Sequence, residues 1–277
     1  MDKIKILVAC HKPGAVYSDE VYSPIHVGRA VSPFKNEMGN MIGDDTGDNL
    51  SEKNPMYCEL TAQYWAWRNL KNVEYVGFCH YRRFFDIQTK DILDTLRGND
   101  AIVLKFVYNH PIWQEIVHFV SVEDLTILLM VLKNKYPEYE QTVIDYLYGN
   151  ILYPKNMFIC NKLLFDEYAS WLFDVLSECE KNIKPSPYTR GKRTLAYLGE
   201  YLLSIYLMHN NLRLKVVECV DNVGHQNHTT YKHKMKIKMM SMNRLVSDML
   251  FVKKPKTFEE MYLPEVLVGF KNDGIYV

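Results

Sequence analysis

What most constrains this chain is a set of short apolar runs, each too brief for a helix: Ile4–Cys10, Tyr75–Cys79, Ala101–Leu104, Asn156–Cys160 and Leu214–Cys219. Bounded by polar turns, such runs read as buried strands. Between them lie stretches with helical periodicity. Pro55–Leu70 puts Leu60, Tyr64, Trp67 and Tyr57 on one face, and Lys90–Gly98 follows. Val122–Lys135 has Leu125, Leu128, Leu129 and Leu132 in register, and Tyr139–Leu147 continues the series. Leu163–Lys181 turns Trp171, Leu172, Val175 and Leu176 inward, and Leu195–Met208 comes after the Pro185-Ser-Pro187 break. Strands alternating with helices predict an α/β fold. Pro13–Lys53 is the exception: a long, Gly- and Pro-punctuated stretch read as irregular, which in a compact domain is usually functional.

Several function classes drop out on chemistry. Lys plus Arg and Asp plus Glu both number 33, so nothing global favours nucleic acid and any polyanion site must be local. The first strand is followed by neither GxGxxG nor GxxxxGK[ST], which removes the dinucleotide fingerprint and the P-loop, and with them the case for a phosphotransferase. The six cysteines have no CxxC pair and mostly sit among apolar residues, reading as small buried hydrophobes in a reducing compartment. No apolar run reaches the roughly 18 residues of a membrane span. The expectation is a soluble or peripheral protein in the cytoplasm.

Four stretches carry chemistry. Tyr75-Val-Gly-Phe78 runs straight into His80-Tyr-Arg-Arg83 with no turn signal between. Ligands of open α/β sheets sit beyond the carboxyl ends of strands, and paired guanidinium groups suit phosphate or carboxylate; the alternative is a solvated cation pair. Asp44-Asp-Thr-Gly-Asp-Asn49 looks like a calcium loop only superficially, because Gly47 is misplaced for an EF-hand and no helix precedes it. Tyr108-Asn-His-Pro-Ile-Trp113 offers several polar contacts. Glu200 stands inside the apolar run Tyr197–Ile205, where an unpaired carboxylate would be costly, so it pairs with a cation such as Arg193 or points into a cleft and does acid–base work. Beyond residue 230, Lys232–Lys256 is basic and Met-rich, either a membrane-surface helix or a solvated one.

Together, Ala9-Cys-His-Lys12, Asp44-Asp-Thr-Gly-Asp-Asn-Leu-Ser51, Tyr57-Cys-Glu-Leu-Thr-Ala62, Tyr64-Trp65 and Val76-Gly-Phe-Cys-His-Tyr-Arg-Arg83 resemble the bacterial capsular-polysaccharide glycosyltransferases of the DUF4422 type, which are similar to galactofuranosyl- and galactosyltransferases. The resemblance implies a GT-A-like single domain over residues 1–230, with a mixed central sheet flanked by helices, and a basic helical extension over 231–277. It implies a donor, UDP-galactofuranose or UDP-galactose, bound by His11, Arg29, Asp44, Asp45, His80, Tyr81, Arg82, Arg83 and Asn156. Glu200 would be the general base of an inverting transfer to a lipid-linked oligosaccharide, at the inner face of the cell membrane. Where GT-A enzymes hold a metal with Asp-x-Asp, this chain has His80-Tyr-Arg-Arg83, so no cofactor is expected. Manganese or magnesium on Asp44, Asp45 or Asp48 is the competing reading. His225 and His228 are weaker diphosphate candidates, and Tyr201 departs from the arginine that often follows this glutamate. The rival class is a non-catalytic polysaccharide or sugar-nucleotide binding module.

Overall fold

The structure, a computed structural model, describes residues 2–221, Met239 and 253–275. His225, His228 and most of the Lys232–Lys256 stretch lie outside the described residues. The chain forms two compact units that interleave along the sequence: residues 1–105, 153–173 and 211–227 make the first, and 106–152, 174–210 and 228–277 the second.

The strands in chain order are β1 (Asp2–Cys10), β2 (Tyr22–His26), β3 (Ile42–Gly43), β4 (Val73–His80), β5 (Arg83–Phe85), β6 (Ala101–Val103), β7 (Phe106–Val107), β8 (Ile151–Leu152), β9 (Phe158–Asn161), β10 (Leu214–Val216) and β11 (Cys219–Asp221). The first unit holds a nine-stranded sheet in the order β10-β6-β9-β4-β1-β2-β3, with β5 and β11 branching from β4. β1 is parallel to β2 and β4, β2 to β3, and β10 to β6, while β9 runs antiparallel to β4 and β6. The architecture is therefore α/β with a mixed central sheet and helices around it, as expected.

β1 lies inside this sheet, between β4 and β2, and its side chains suit burial on both faces. Ile4, Ile6, Leu7, Val8, Ala9 and Cys10 are all buried, the near-continuous apolar pattern of a covered parallel strand. Gly77 sits opposite Ile6 in the register of β4. A Cβ there would come within 2.9 Å of Ile159 Cγ1 and 3.0 Å of Ile6 Cγ1, so glycine lets three strands pack at one point.

The stretch read as irregular contains β2. Its five residues include Pro24, which argues against a central strand. The structure resolves the conflict geometrically: β3 pairs only with Ile25 and His26, so on that side Pro24 lies beyond the ladder and its missing N–H leaves no bond unmade.

The helix expected over Pro55–Leu70 is two pieces, Asn54–Tyr57 and Leu60–Asn69, divided at Cys58, whose φ is 47°. Its buried face is Leu60, Thr61, Ala62, Gln63 and Ala66. Tyr64 and Trp67, expected inward, are only half-buried; they pack against each other and against Phe173.

The second unit is mostly helical, with the β7–β8 ribbon as its strands. The helix Val122–Lys135 begins where expected because the Ser121 hydroxyl accepts from the Asp124 N–H at 3.0 Å, with Glu123 and Asp124 in its positive first turn. The helix Thr194–His209 is apolar nearly all round and correspondingly buried. Glu200, within it, is half-buried. Among the described residues no helix is long and apolar enough to cross a membrane.

Candidate functional site

In the first unit, most of the expected donor residues gather where the parallel strands end. β1 runs out at Cys10 and presents His11, exposed, with its ring edge-on to Tyr81 at 5.2 Å. β4 runs out at His80, and the chain then turns. Tyr81 and Arg82 form a two-residue connection, after which Arg83 pairs back to His80. The strand runs on to His80 as expected and then folds back as a hairpin, pinned to β1 by the Tyr81 N–H donating to the Ala9 carbonyl at 3.1 Å.

The turn decides where the two arginines go. Arg82 lies exposed with its guanidinium 4.9 Å from the centre of the Tyr81 ring, a cation–π arrangement. Arg83 Nε lies 3.8 Å from Asp221 Oδ1 on the neighbouring strand β11. Arg83 thus shares its charge with a carboxylate, while Arg82 is held by a ring and keeps its donors turned to solvent or ligand.

Arg29, Asp44 and Asp45 belong to loops beyond β2 and β3. The Asp44 carboxylate is fully buried and accepts from the Gly28 N–H (2.7 Å), the Arg29 N–H (3.0 Å) and the Ser51 hydroxyl (2.5 Å). Gly28 has φ 66°, and a Cβ there would meet Asn54 at 2.6 Å, so the turn needs glycine. Asp44 therefore ties two loops together. Asp45 takes Lys35 at 2.8 Å and Arg29 at 3.7 Å; burial would raise its pKa, but these two cations hold it below the usual carboxylate range. Asp48 receives Tyr64 Oη, Arg68 Nε and, on its carbonyl, the Asn69 amide. Each carboxylate of the acidic loop thus serves its own partners, and the loop does not fit a metal-ligand set. Among the described residues no group of three His, Cys, Asp or Glu is disposed to hold an ion.

His26 closes β2 fully buried, and neither ring nitrogen has a hydrogen-bond partner. Burial lowers its pKa, with the Asp44 charge pulling the other way.

Asn156 is held in a strained turn. It is 1% exposed and occupies a turn, Pro154–Met157, whose central residues Lys155 and Asn156 have φ 69° and 51°. Left-handed non-glycine residues cost on the order of 1 kcal/mol or more each. Three hydrogen bonds hold them there: His80 Nε2 to the Lys155 carbonyl (2.8 Å), Gln63 Nε2 to the Asn156 carbonyl (3.2 Å), and Asn156 Nδ2 to Glu59 Oε1 (2.9 Å). The strand expected over Asn156–Cys160 begins only at Phe158, because this turn occupies its first residues. Glu59 and Gln63 were not among the expected site residues; Glu59 shows in the sequence only as a carboxylate beside an aromatic stripe.

In the second unit Glu200 lies among phenols. Its charge acts on Tyr108, Tyr146 and Tyr201. Burial first, then Glu115 and Glu200, push the Tyr108 phenol up to about 12. The Tyr201 phenol is raised by burial, then by Glu200 and Glu115. Two carboxylates therefore address the same two hydroxyls, and both hydroxyls stay protonated at neutral pH. Glu115 also has His110 Nε2 at 3.5 Å, and the His110 ring lies 5.2 Å from that of Tyr108. Tyr108 and His110 come from the loop read as ligand-contacting, and Glu115 from the short helix Ile112–Ile116 just after it. A separate cavity of about 490 Å³ in this unit, lined by Asp124, Asn182 and Lys184 among others, contains none of the expected residues.

Comparison with known proteins bears on the family and the fold. No curated protein matches the chain. Among solved structures it is similar to the apo structure of WbbM, a bifunctional glycosyltransferase, at 29% identity and a TM-score of 0.74. The similarity covers 79% of this chain but 45% of WbbM, so the chain spans less than half of that protein's length. The family model for a domain of unknown function, DUF4422, matches residues 5–211. The chain belongs to the DUF4422 family.

Proposed function

We propose that this protein is a glycosyltransferase that moves galactofuranose, or galactopyranose, from UDP to a glycan acceptor in bacterial surface-polysaccharide synthesis. The observation that carries this reading is the strand-end hairpin with Arg82 exposed over Tyr81 and Arg83 beside it. Guanidinium groups at the carboxyl end of a parallel strand suit the diphosphate of a sugar nucleotide. Membership of DUF4422 and the likeness to WbbM support glycosyl transfer as the reaction class.

In an inverting transfer the acceptor oxygen bonds to the anomeric carbon as the bond from that carbon to the diphosphate oxygen breaks. Glu200 takes the acceptor proton, and UDP leaves carrying the bonding pair. Arg82 and Arg83 stabilise the charge developing on the leaving diphosphate, the work a metal does elsewhere. His11, His80, Tyr81, Arg29 and Asn156 complete the donor side. Asp44 and Asp45 support it by fixing the loop that carries Arg29. The lipid-linked acceptor belongs at the inner membrane face, which the basic stretch Lys232–Lys256 suits.

The test is release of UDP from a panel of UDP-sugars, with and without acceptor, in buffer containing EDTA. Turnover that survives chelation supports arginine in place of metal. Turnover lost to EDTA and restored by manganese removes that part of the mechanism. No turnover with any UDP-sugar leaves the non-catalytic binding module as the better account.

A further inference from the structure

The turn at Lys155–Asn156 places a carboxylate for which the transfer chemistry above has no use. Glu59 precedes the helix Leu60–Asn69 and is half-buried, with its carboxylate held by Asn156. The amide orientations follow from what they bind. An ionised carboxylate only accepts, so the Asn156 amino group faces Glu59. A backbone carbonyl only accepts, so the Gln63 amino group faces the Asn156 carbonyl. Both amide oxygens, Asn156 Oδ1 and Gln63 Oε1, are left buried without a donor. The network thus ends on acceptors: a half-buried carboxylate and two buried amide oxygens behind it.

Such a network calls for donors. A diphosphate carries none at neutral pH, whereas a sugar ring carries several hydroxyls. The network is also joined to the cationic hairpin, since His80, one residue before the Tyr81–Arg82 turn, holds the Lys155 carbonyl. We infer that Glu59 accepts hydrogen bonds from hydroxyls of the donor sugar and so sets which UDP-sugar is used, with Asn156 and Gln63 as positioning residues. This rests on the UDP-sugar reading of the hairpin. Glu59 touches the sugar, the arginines its diphosphate.

Titration calorimetry with UDP, UDP-galactose and UDP-galactofuranose separates the parts. For Glu59→Gln, affinity for the UDP-sugars falls roughly 10- to 100-fold, the loss expected for a hydrogen bond to a charged group. Affinity for UDP alone stays at the wild-type value, which also reports that the fold is intact. Asn156→Ala shows a smaller loss in the same direction, in KM for the donor more than in kcat. Sugar-nucleotide affinity unchanged in Glu59→Gln overturns the assignment, as does an equal loss for UDP and UDP-sugar. Manganese-dependent binding of UDP-galactose that loses its manganese dependence in Glu59→Gln overturns it too, because the carboxylate would then serve a cation. A wild type that binds neither UDP nor any UDP-sugar overturns the glycosyltransferase reading and this assignment with it; binding that Glu59→Gln leaves intact removes only the latter.

Discussion

The strand ends of the first unit and the surroundings of Glu200 in the second are built from opposite materials. At the strand ends cations stand forward, and the side chains behind them bind backbone: His80 and Gln63 hold carbonyls, and Asp44 holds N–H groups. Around Glu200 the groups are phenols and a second carboxylate, set on helices and a short loop. The first environment favours an anion. The second raises the cost of adding negative charge and leaves a carboxylate among proton-bearing hydroxyls. On the proposed reading, the arginines would take the diphosphate and the glutamate the acceptor proton.

The largest effect that would break this division comes from the second region. Glu200→Gln keeps shape and removes the base, so turnover falls on the order of 100- to 10,000-fold while UDP affinity is unchanged. Steady-state rates paired with calorimetry check both arms, and a wild-type rate would remove Glu200 from the mechanism. The first region answers the reverse way. Arg82→Ala weakens UDP binding by roughly 10-fold or more, and Arg83→Ala by less, because Arg83 already shares its charge with Asp221. Equal effects from the two would show that the hairpin does not rank them as its contacts suggest.

The smallest effect concerns stability. The buried His26 has its pKa lowered in the fold, so below the unfolded value of about 6.5 the unfolded chain binds a proton that the native one refuses. Stability therefore falls as pH drops from 7 through about 6, and the loss levels off once pH passes below the lowered native value. His26→Leu flattens that slope in melting temperatures taken between pH 7.5 and 5. An unchanged slope would place the acid sensitivity elsewhere.

Much of the first region was legible in the sequence because its signals are local. Ile4–Cys10 and Tyr75–Cys79 are apolar enough to be buried strands wherever they pack, and a pair of arginines just past a strand end is visible as such. Glu200 was legible for a similar reason, as a carboxylate inside an apolar helix. What failed were features decided by particular side-chain partners rather than by spacing. Cys58 lies in a stretch with helical pattern, yet the helix breaks there, where the Asn54 side chain takes the Cys58 carbonyl and the Thr61 hydroxyl. Tyr64 was expected inward with Leu60 and Trp67, but its hydroxyl donates to Asp48 of the acidic loop.

Side-chain period and charge order are properties of the chain alone, and they determined an α/β fold, a cationic strand end and an isolated glutamate. The tertiary structure decided which groups those features would meet. Asn156 reaches Glu59 across 97 residues of sequence, and Gln63 reaches Asn156 across 93. Tyr108 meets Glu200 from a loop that shares no pattern with its helix. Hydrogen bonds and charge pairs act over a few ångströms in space, and no local spacing encodes which distant residues will be brought that close.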